Sequence, residues 1–520
     1  MDKFLASQSN NKRIAKNTLL LYVRMIFVMG VTLYTSRVIL KKLGVEDYGI
    51  MNVAGGIIAM FTFINSSMTS ATQRYITFSL GQGTKDKLQR VFKTALIIHG
   101  IIALFIILLG ESLGLWLLLR KLVIPETRMV AAMWVYQCSI LSTVVSILYV
   151  PFNADIIAHE RMNVFAYISV IEVVLKLLIV YSLVISPFDK LITYSCMLLC
   201  VQILVCTFYI IYCRQNFNET RQWLRIDRSL LKEMSGFAGW SFFGNFAAIL
   251  YSQGLNLMLN IFFGPIVNAA RGIAIQVQVA VSQFVASFQM AINPQITKTY
   301  SVGDLEEMHI LIFRCARFSF FLLLMIAIPV TLETNLILSL WLGNIPENTV
   351  IFLRIMLFTS LLYTVINPCV VANQATGKIK KYQIAVGSIL LLILPISYVF
   401  LSLGYPPYIV FIVHFCMEVV AQIIRMYLLQ NLIQLPIKQY FPNLFRPITL
   451  VFIISYILPF CIHIYMNYGL IRLMIVTIIS VLSVCLTAYS IGLSNNERLF
   501  VKKALKHALL VSVKYFYKNE

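Results

Sequence analysis

Fourteen long apolar segments follow one another along the chain, and they constrain its fold more than any other feature. Each has at least about twenty residues, the length that an α-helix needs to cross a bilayer. We number them spans 1 to 14, and they lie near 18–40, 48–79, 94–119, 130–151, 163–185, 191–213, 236–262, 266–294, 312–333, 350–371, 383–403, 407–429, 446–467 and 470–493. Because mostly short loops join them, the sequence predicts an all-α integral membrane protein without a soluble domain.

The composition excludes the common soluble classes. The chain of 520 residues is 59% hydrophobic and only 12% charged, whereas soluble domains are about a quarter charged. A mean hydropathy of +0.83 describes more apolar surface than a soluble core can hide. A bilayer can accommodate that surface.

The net charge of +21 is explained by membrane topology. With the N-terminus in the cytoplasm, Lys and Arg of the cytoplasmic segments far outnumber those of the outer loops, as the positive-inside rule requires. The outer loops contain Lys41, Lys42, Arg120, Lys121, Arg128 and Lys190. We therefore expect both termini in the cytoplasm and contact with anionic lipid head groups. No basic patch with interleaved aromatic residues indicates nucleic acid.

The chain contains a weak internal repeat. A shift of 220 residues places Gly44 on Gly264 and Gly83 on Gly303, and each glycine pair encloses one long helix rich in small and polar residues. A shift of 217 residues places PFNADIIAHERMNVF (151–165) over PCVVANQATGKIKKY (368–382). We interpret spans 1–6 and 7–12 as two parallel six-helix halves, an arrangement that transporters use with the substrate site between the halves.

This repeat gives the predicted domain organisation. It consists of a cytoplasmic tail (1–17), an N-terminal six-helix lobe (18–213), a cytoplasmic linker (214–235), a C-terminal six-helix lobe (236–430), two additional transmembrane helices (446–493) and a basic cytoplasmic tail (494–520).

Spans 1, 2, 7 and 8 carry polar side chains that lipid-facing helices avoid. We predict that some of them bind the substrate, and these candidates are Arg24, Arg74, Arg271, Asn52, Ser70, Asn245, Asn256, Gln278, Gln289 and Asn293. Small and amide residues also let membrane helices pack, which accounts for many of these positions. It accounts less well for the arginines, because a buried Arg costs at least about 2.5 kcal/mol at the bilayer centre and usually faces a partner or a wet cavity.

The same spans contain almost no acidic residues. The prediction is a water-filled cavity with surplus positive charge, and such a cavity suits an anion. Arg binds phosphate through paired donors. The neighbouring amides and hydroxyls suit sugar hydroxyl groups, and the surrounding lipid suits an acyl or prenyl tail. Together these requirements describe a lipid-linked saccharide.

Two further pairs of ionisable residues are four positions apart on one span. Glu172 and Lys176 on span 5, and His414 and Glu418 on span 12, form structural ion pairs or carry a coupling ion such as a proton. Arg354 and Arg425 lie near span ends, and we interpret them as reaching toward the membrane interface.

No motif for a cofactor or metal is visible in the sequence. The ten cysteines form no CxxC pair, most lie within apolar spans, and we read them as core residues. No Ser/His/Asp cluster, metal-ligand spacing or phosphate-binding glycine loop occurs. The sequence predicts no cofactor and no catalytic residue.

The run LLYVRMIFVMGVTLYTSRVILKKLGVEDYGIMNVAGGIIAMFTFINSSMTSATQRYITFSLG (20–81) resembles the opening of bacterial polysaccharide-biosynthesis flippases. It combines an arginine-containing first helix, LGxxxYG at the outer turn and a polar second helix. The ATGKIKK loop (375–381) resembles the same group, the multidrug/oligosaccharidyl-lipid/polysaccharide exporter (MOP) superfamily, whose members are MATE-like. Two extra C-terminal spans occur here, as in the lipid II flippase of that superfamily.

The resemblance implies export of undecaprenyl-pyrophosphate-linked oligosaccharide across the bacterial inner membrane by alternating access. It implies a V-shaped cavity lined by spans 1, 2, 7 and 8, with Arg24, Arg74 and Arg271 in the position to bind pyrophosphate. The products would be O-antigen, capsule or exopolysaccharide. The glycosyltransferases and the polymerase of the same pathway are the implied partners.

Three alternatives remain open. A cation-coupled multidrug exporter of the same fold, driven by a proton or Na⁺, should have an acidic cavity, whereas spans 1, 2, 7 and 8 are basic. A membrane polysaccharide polymerase or acyltransferase usually places catalytic groups on a sizeable outer loop, and the outer loops here are short. A purely structural membrane protein has no need of intramembrane arginines.

Overall fold

The chain forms helices throughout the part that is described. The computed structural model describes residues 17–32, 34–35, 38–39, 42–43, 47, 50–51, 62–83, 85–120, 124–183, 187–221, 227–343, 345–494 and 497–499. No strand occurs among these residues, as expected for apolar segments whose backbone groups must be hydrogen-bonded within each helix. The candidate Asn52 lies outside the described residues.

The α-helices have the following bounds: α1 Asn17–Thr32, α2 Thr62–Gln82, α3 Lys85–Leu109, α4 Leu115–Arg120, α5 Met129–Ala158, α6 Met162–Ser182, α7 Lys190–Asn216, α8 Arg228–Phe263, α9 Pro265–Ser301, α10 Leu305–Leu332, α11 Thr334–Leu342, α12 Thr349–Thr376, α13 Lys380–Ser402, α14 Ile409–Ile433, α15 Ile437–Tyr440, α16 Arg446–Tyr465 and α17 Leu470–Thr487. Turns of π-helix join α3 to α4 and α15 to α16, and a 3₁₀ turn at Asn218–Thr220 follows α7.

Twelve helical segments among the described residues are long and apolar enough to cross a membrane, and they coincide with predicted spans 3 to 14. Spans 1 and 2 lie partly outside the described residues, and α1 and α2 are their described parts. Several helices begin earlier than predicted, and α8, for example, begins at Arg228 and not near residue 236. Charged residues of its first turns, such as Lys232 and Glu233, hid this extension in the hydropathy pattern.

The last helix shows how the outer surface suits lipid. On α17, Ile471, Met474, Ile478, Leu482 and Leu486 are all more than half exposed, at spacings of three or four residues. The opposite face is buried and contains small or polar side chains. This inside-out pattern is typical of a helix that contacts lipid and packs through small residues.

The chain divides into two compact units. The first unit comprises Met1–Gln253, Ala286–Leu311 and Val370–Leu392, and the second comprises Gly254–Val285, Ile312–Cys369 and Ile393–Glu520. The predicted lobes at 18–213 and 236–430 are a different division and stay a prediction.

The core of the first unit surrounds α5. This helix packs along α7 and against α3 and α2. Tyr136 is fully buried and donates a hydrogen bond of 2.5 Å from its hydroxyl to the Gly110 carbonyl. Phe92 and Phe152 meet edge to face with ring centroids 5.2 Å apart, so that aromatic packing fixes α3 on α5.

A buried ionic cluster attaches α16 and α17 within the second unit. The Glu333 side chain has no exposed surface, and it accepts a hydrogen bond of 2.8 Å from Nη2 of Arg472. Nδ1 of His463 lies 2.8 Å from the other carboxylate oxygen. The shared carboxylate joins the end of α16 and the start of α17 to the turn between α10 and α11.

Candidate functional site

A polar cavity of about 380 Å³ lies in the first unit, between α1, α6 and α7. Its charged lining residues are Arg24, Glu172 and Lys176. The remaining lining residues are Val28, Thr32, Thr35, Ile39, Ser169, Val173 and Tyr194. The volume lies in the range of small-molecule sites, which is about 300–1,000 Å³.

The ionisable groups of this cavity carry one surplus positive charge. Nζ of Lys176 donates a hydrogen bond of 2.6 Å to Glu172, so these two charges neutralise each other, as their spacing in the sequence predicts. The Arg24 guanidinium lies over the Phe165 ring, 4.5 Å from its centroid, and its buried Nε has no hydrogen-bond partner among the described residues. A cation on an aromatic face retains donors for a ligand.

Arg74 does not line this cavity. Its Nε and Nη2 donate hydrogen bonds of 3.1 and 3.0 Å to the carbonyl oxygens of Gln374 and Ala375, in the last turn of α12. Carbonyls in the last turn of a helix lack the usual N–H donors of a following turn, and the Gln374 carbonyl also accepts a hydrogen bond of 3.0 Å from the Gly377 N–H. The guanidinium therefore caps α12.

The surroundings of Arg74 are tightly packed. Its guanidinium carbon lies 4.4 Å from the centroid of the Tyr75 ring and 4.9 Å from that of Phe78, and the residue is only 8% exposed. Gly377 follows α12 with φ of +75°, and a Cβ there would lie 2.6 Å from Nη2 of Arg74. In this conformation the arginine binds protein backbone, so substrate binding by Arg74 stays a prediction.

The loop after α5 receives a comparable contact, which sequence reasoning missed. Glu160 adopts a left-handed φ of +58°, and its carboxylate accepts hydrogen bonds from Lys298 at 2.9 Å and from Gln295 at 3.2 Å, both on α9. Asn17 donates to its carbonyl at 3.3 Å. The internal repeat contained a sign of this contact. The shift of 217 residues places Glu160 on Gly377, the residue that packs against Arg74 in the loop after α12.

The second unit brings other candidates together. Nη1 of Arg271 donates a hydrogen bond of 3.2 Å to Asn256, which joins α9 to α8. The Gln278 amide donates to the Ser360 hydroxyl at 2.9 Å, which joins α9 to α12. Amides of this kind serve helix packing as well as binding.

His414 and Glu418 belong to a buried polar cluster of the same unit. The Tyr363 hydroxyl donates a hydrogen bond of 2.6 Å to Glu418 and lies 3.3 Å from Nε2 of His414, and that nitrogen is 3.9 Å from Oε1 of Glu418. Arg425 is 4% exposed, and its Nη2 lies 3.5 Å from Glu418. The interpretation of Arg425 as reaching toward the interface was wrong, because it ignored a carboxylate two helical turns away on the same helix.

The remaining candidates lie on helices of the first unit. Ser70 and Asn245 are half-buried on α2 and α8, Gln289 is buried on α9, and Oδ1 of Asn293 is buried without a hydrogen-bond partner among the described residues. The structure thus groups Arg24 with Glu172 and Lys176, and it separates Arg74 from them.

Comparison with known proteins identifies the fold. The family model MatE matches residues 21–182. A search of the curated proteins finds no match.

Solved structures extend the likeness over most of the chain. A crystal structure of MATE in the bent conformation superposes with a TM-score of 0.70 at 14% sequence identity, and the alignment covers 82% of this chain and 96% of that one. An outward-facing multidrug resistance MATE family transporter of the MOP superfamily gives a TM-score of 0.68 at 14% identity, with 81% and 96% covered.

A MOP superfamily transporter from Pyrococcus furiosus gives a TM-score of 0.66 at 14% identity, with the same coverage. That protein is described as having a binding pocket of reverse polarity, which suggests a different function. The family model and these structures are those of transporters and not of enzymes. The present chain has their fold: it is all-α, multi-pass and MATE-like.

Proposed function

We propose that this protein flips undecaprenyl-pyrophosphate-linked oligosaccharide units across the bacterial inner membrane by alternating access, for O-antigen, capsule or exopolysaccharide synthesis. The observation that carries the proposal is the cavity of about 380 Å³ in which Arg24 has surplus positive charge. Because the Glu172 carboxylate of this cavity is paired with Lys176, an anionic head group would balance the charge of Arg24.

The chemistry of the lining fits a phosphorylated saccharide. Arg24 offers paired N–H donors to phosphate oxygens. The hydroxyls of Thr32, Thr35 and Ser169, together with the phenol of Tyr194, can exchange hydrogen bonds with sugar hydroxyls. The volume suits a pyrophosphate with one or two sugar rings, while the prenyl tail would stay in the bilayer.

Proteins of the same fold differ in the polarity of their binding pockets. The Pyrococcus furiosus transporter is described by a reversed polarity of its pocket, so the fold accommodates pockets of different charge. This supports an anionic substrate for the present chain without identifying it.

The other polar candidates complete the proposal. Arg271, Asn256 and Gln278 would offer further polar groups in the second unit, and Ser70, Asn245, Gln289 and Asn293 would do so in the first. Asn52 and Arg74 stay in the proposed binding set, and for Arg74 substrate contact would require release of the α12 carbonyls. Glycosyltransferases and a polymerase would supply and consume the substrate.

One observation favours a second candidate function, cation-coupled multidrug export. The buried cluster of Glu418, His414 and Tyr363 offers a carboxylate and an imidazole that could bind and release a proton. In the flippase proposal the same cluster, or the pair of Glu172 and Lys176, would couple flipping to a proton or Na⁺ gradient. The two functions therefore differ in substrate and not in the coupling group.

The test measures flipping of undecaprenyl-pyrophosphate oligosaccharide in proteoliposomes. We expect wild-type flipping, at least about a tenfold loss for Arg24→Ala, and partial recovery for Arg24→Lys, which keeps the charge but loses the paired donors. Arg120→Ala, which removes an exposed arginine at the end of α4, is the matched control.

Unchanged flipping in Arg24→Ala would refute the role of Arg24. Wild-type inactivity toward lipid-linked saccharides, combined with export of organic cations such as ethidium from the same vesicles, would establish the second candidate.

A further inference from the structure

Three potential metal ligands meet where α5 ends. Asp155 lies in the last turn of α5, His159 follows directly after the helix, and Glu219 lies in the 3₁₀ turn Asn218–Thr220 after α7. Nε2 of His159 is 2.7 Å from Oε1 of Glu219 and 3.7 Å from Oδ1 of Asp155, and the ligand atoms of all three lie within 4.8 Å of one another. This cluster is separate from the cavity around Arg24.

Asp155 is the unusual member of the cluster. Its side chain has no exposed surface, and neither carboxylate oxygen has a hydrogen-bond partner among the described residues. A buried carboxylate without a hydrogen bond is expensive because it has lost its hydration, and this one also faces the second carboxylate of Glu219. It must therefore either retain a proton or face a cation.

The rest of the cluster is prepared for a cation. The Glu219 side chain is only 8% exposed, and its contact with His159 holds its carboxylate in place. The His159 ring is fixed by stacking on the Phe217 ring, with centroids 4.1 Å apart and an interplanar angle of 8°. A quarter of the His159 side chain is exposed, which leaves a path for an ion from solvent.

We propose that Asp155, His159 and Glu219 form a binding site for a divalent first-row transition-metal ion, Zn²⁺ or Mn²⁺, that no comparison assigns to this chain. Two carboxylates and a neutral imidazole carry a charge of −2 and balance such an ion. Imidazole suits Zn²⁺, and carboxylate oxygens suit Mn²⁺. An all-oxygen ion such as Ca²⁺ would make poor use of the histidine.

The distances require little rearrangement. Ligands about 2.1 Å from an ion are about 3.0 Å apart in octahedral geometry and about 3.4 Å apart in tetrahedral geometry. The two separations from His159 are 2.7 and 3.7 Å, which bracket those values. Water would complete the coordination on the exposed side of the imidazole.

Metal binding would join two segments that are sixty residues apart. Asp155 and His159 belong to the end of α5, whereas Glu219 begins the linker that leads to α8. An ion bound by all three fixes that linker on α5, so occupancy should raise thermal stability.

The experiment uses purified, tag-free full-length protein, stripped with a chelator and dialysed against Zn²⁺ or Mn²⁺. Bound metal is counted by mass spectrometry, and Mn²⁺ binding is followed by the loss of the free-ion electron paramagnetic resonance signal. We expect about one equivalent for the wild type, together with a metal-dependent rise in Tm.

Asp155→Asn and Glu219→Gln keep the side-chain shapes, and each should weaken binding at least about tenfold. The exposed Asp86→Asn change is the control of equal charge.

Two results would overturn the site. One is a wild type that takes up less than about a tenth of an equivalent of both ions. The other is an Asp155→Asn protein that binds metal as the wild type does, which identifies the ion as adventitious. If the wild type takes up little metal, an unchanged or raised Tm in Asp155→Asn shows that the Asp155 carboxyl holds a proton and not a metal ion. None of these readouts depends on flipping, so they are independent of the proposed function.

Discussion

Arg24 and Arg74 are both arginines of apolar helices, yet the first unit treats them differently. Arg24 borders a cavity and lies on one aromatic face, with its Nε unpartnered among the described residues. Arg74 donates to two backbone carbonyls and is packed among aromatic rings. Arg24 is therefore available to a ligand, whereas Arg74 stabilises the fold, although both arginines lie in similar apolar segments of the sequence.

The largest expected effect comes from Arg74→Ala. The substitution removes the hydrogen bonds to the Gln374 and Ala375 carbonyls, of which the Gln374 carbonyl keeps its bond from the Gly377 N–H, and it removes the side chain that fills the space between rings, so unfolding should become easier by about 3 kcal/mol. Thermal unfolding in detergent measures the change. Arg90→Ala, at an exposed arginine 3.7 Å from Asp227, should change stability by less than about 0.5 kcal/mol. Equal stability of the two variants would contradict the capping role.

Gly377→Ala tests the same contact from the loop. An alanine at a φ of +75° is strained, and its Cβ would also collide with Nη2 of Arg74, so we expect a loss of about 2 kcal/mol. Gly404→Ala is the matched control, because its φ is +85° but open space surrounds the added Cβ. The control should lose only about 1 kcal/mol through strain. Similar losses in both would show that Arg74 moves away at no cost.

Lys298→Met tests how much the contact at the loop after α5 contributes to stability, for comparison with the Arg74 contact at the loop after α12. The change removes the ammonium group 2.9 Å from the buried Glu160 carboxylate, and we expect a loss of about 1.5 kcal/mol. The exposed Lys87→Met provides the control in the same unfolding measurement. A second change, Glu160→Gln, should recover part of the loss in the Lys298→Met background. Absence of that recovery would mean that the two side chains act independently.

The smallest expected effect on stability belongs to Arg24→Ala. Because Nε of this guanidinium has no hydrogen-bond partner among the described residues and Glu172 keeps its bond from Lys176, the free energy of unfolding should change by less than about 0.5 kcal/mol, while flipping falls. Unfolding curves and the vesicle assay on the same preparation separate the two readouts. A loss of stability like that of Arg74→Ala would remove the distinction between the two arginines.

Much of the architecture could be predicted from the sequence, because a helix is the ordinary way for a single apolar segment to satisfy its backbone groups in lipid. Spans 3 to 14 follow from that rule alone. The early start of α8 at Arg228 did not, because its first turns lie in the charged linker, where the hydropathy pattern is silent. The pairing of Glu172 with Lys176 was predictable because both residues lie on one helix.

Contacts between distant segments were not predictable in this way. The partners of Arg74 are three hundred residues away. They are backbone carbonyls, which every residue has, so the residue types at those positions give no sign of the contact. Glu219 is sixty residues from His159, so no local spacing revealed the three-ligand cluster. The four-residue spacing of Asp155 and His159 was its only local trace. Arg425 was misread for a related reason, because its nearness to a helix end outweighed a carboxylate within reach on the same helix.

The bond from Arg74 to backbone oxygens has a consequence for how this protein can diverge. Since Gln374 and Ala375 contribute carbonyls and not side chains, the contact does not itself depend on which side chains occupy these two positions. Correlated substitution between position 74 and these two positions is therefore not expected among relatives. The evolutionary record of the contact should instead appear at position 377, as a glycine retained wherever the arginine is retained.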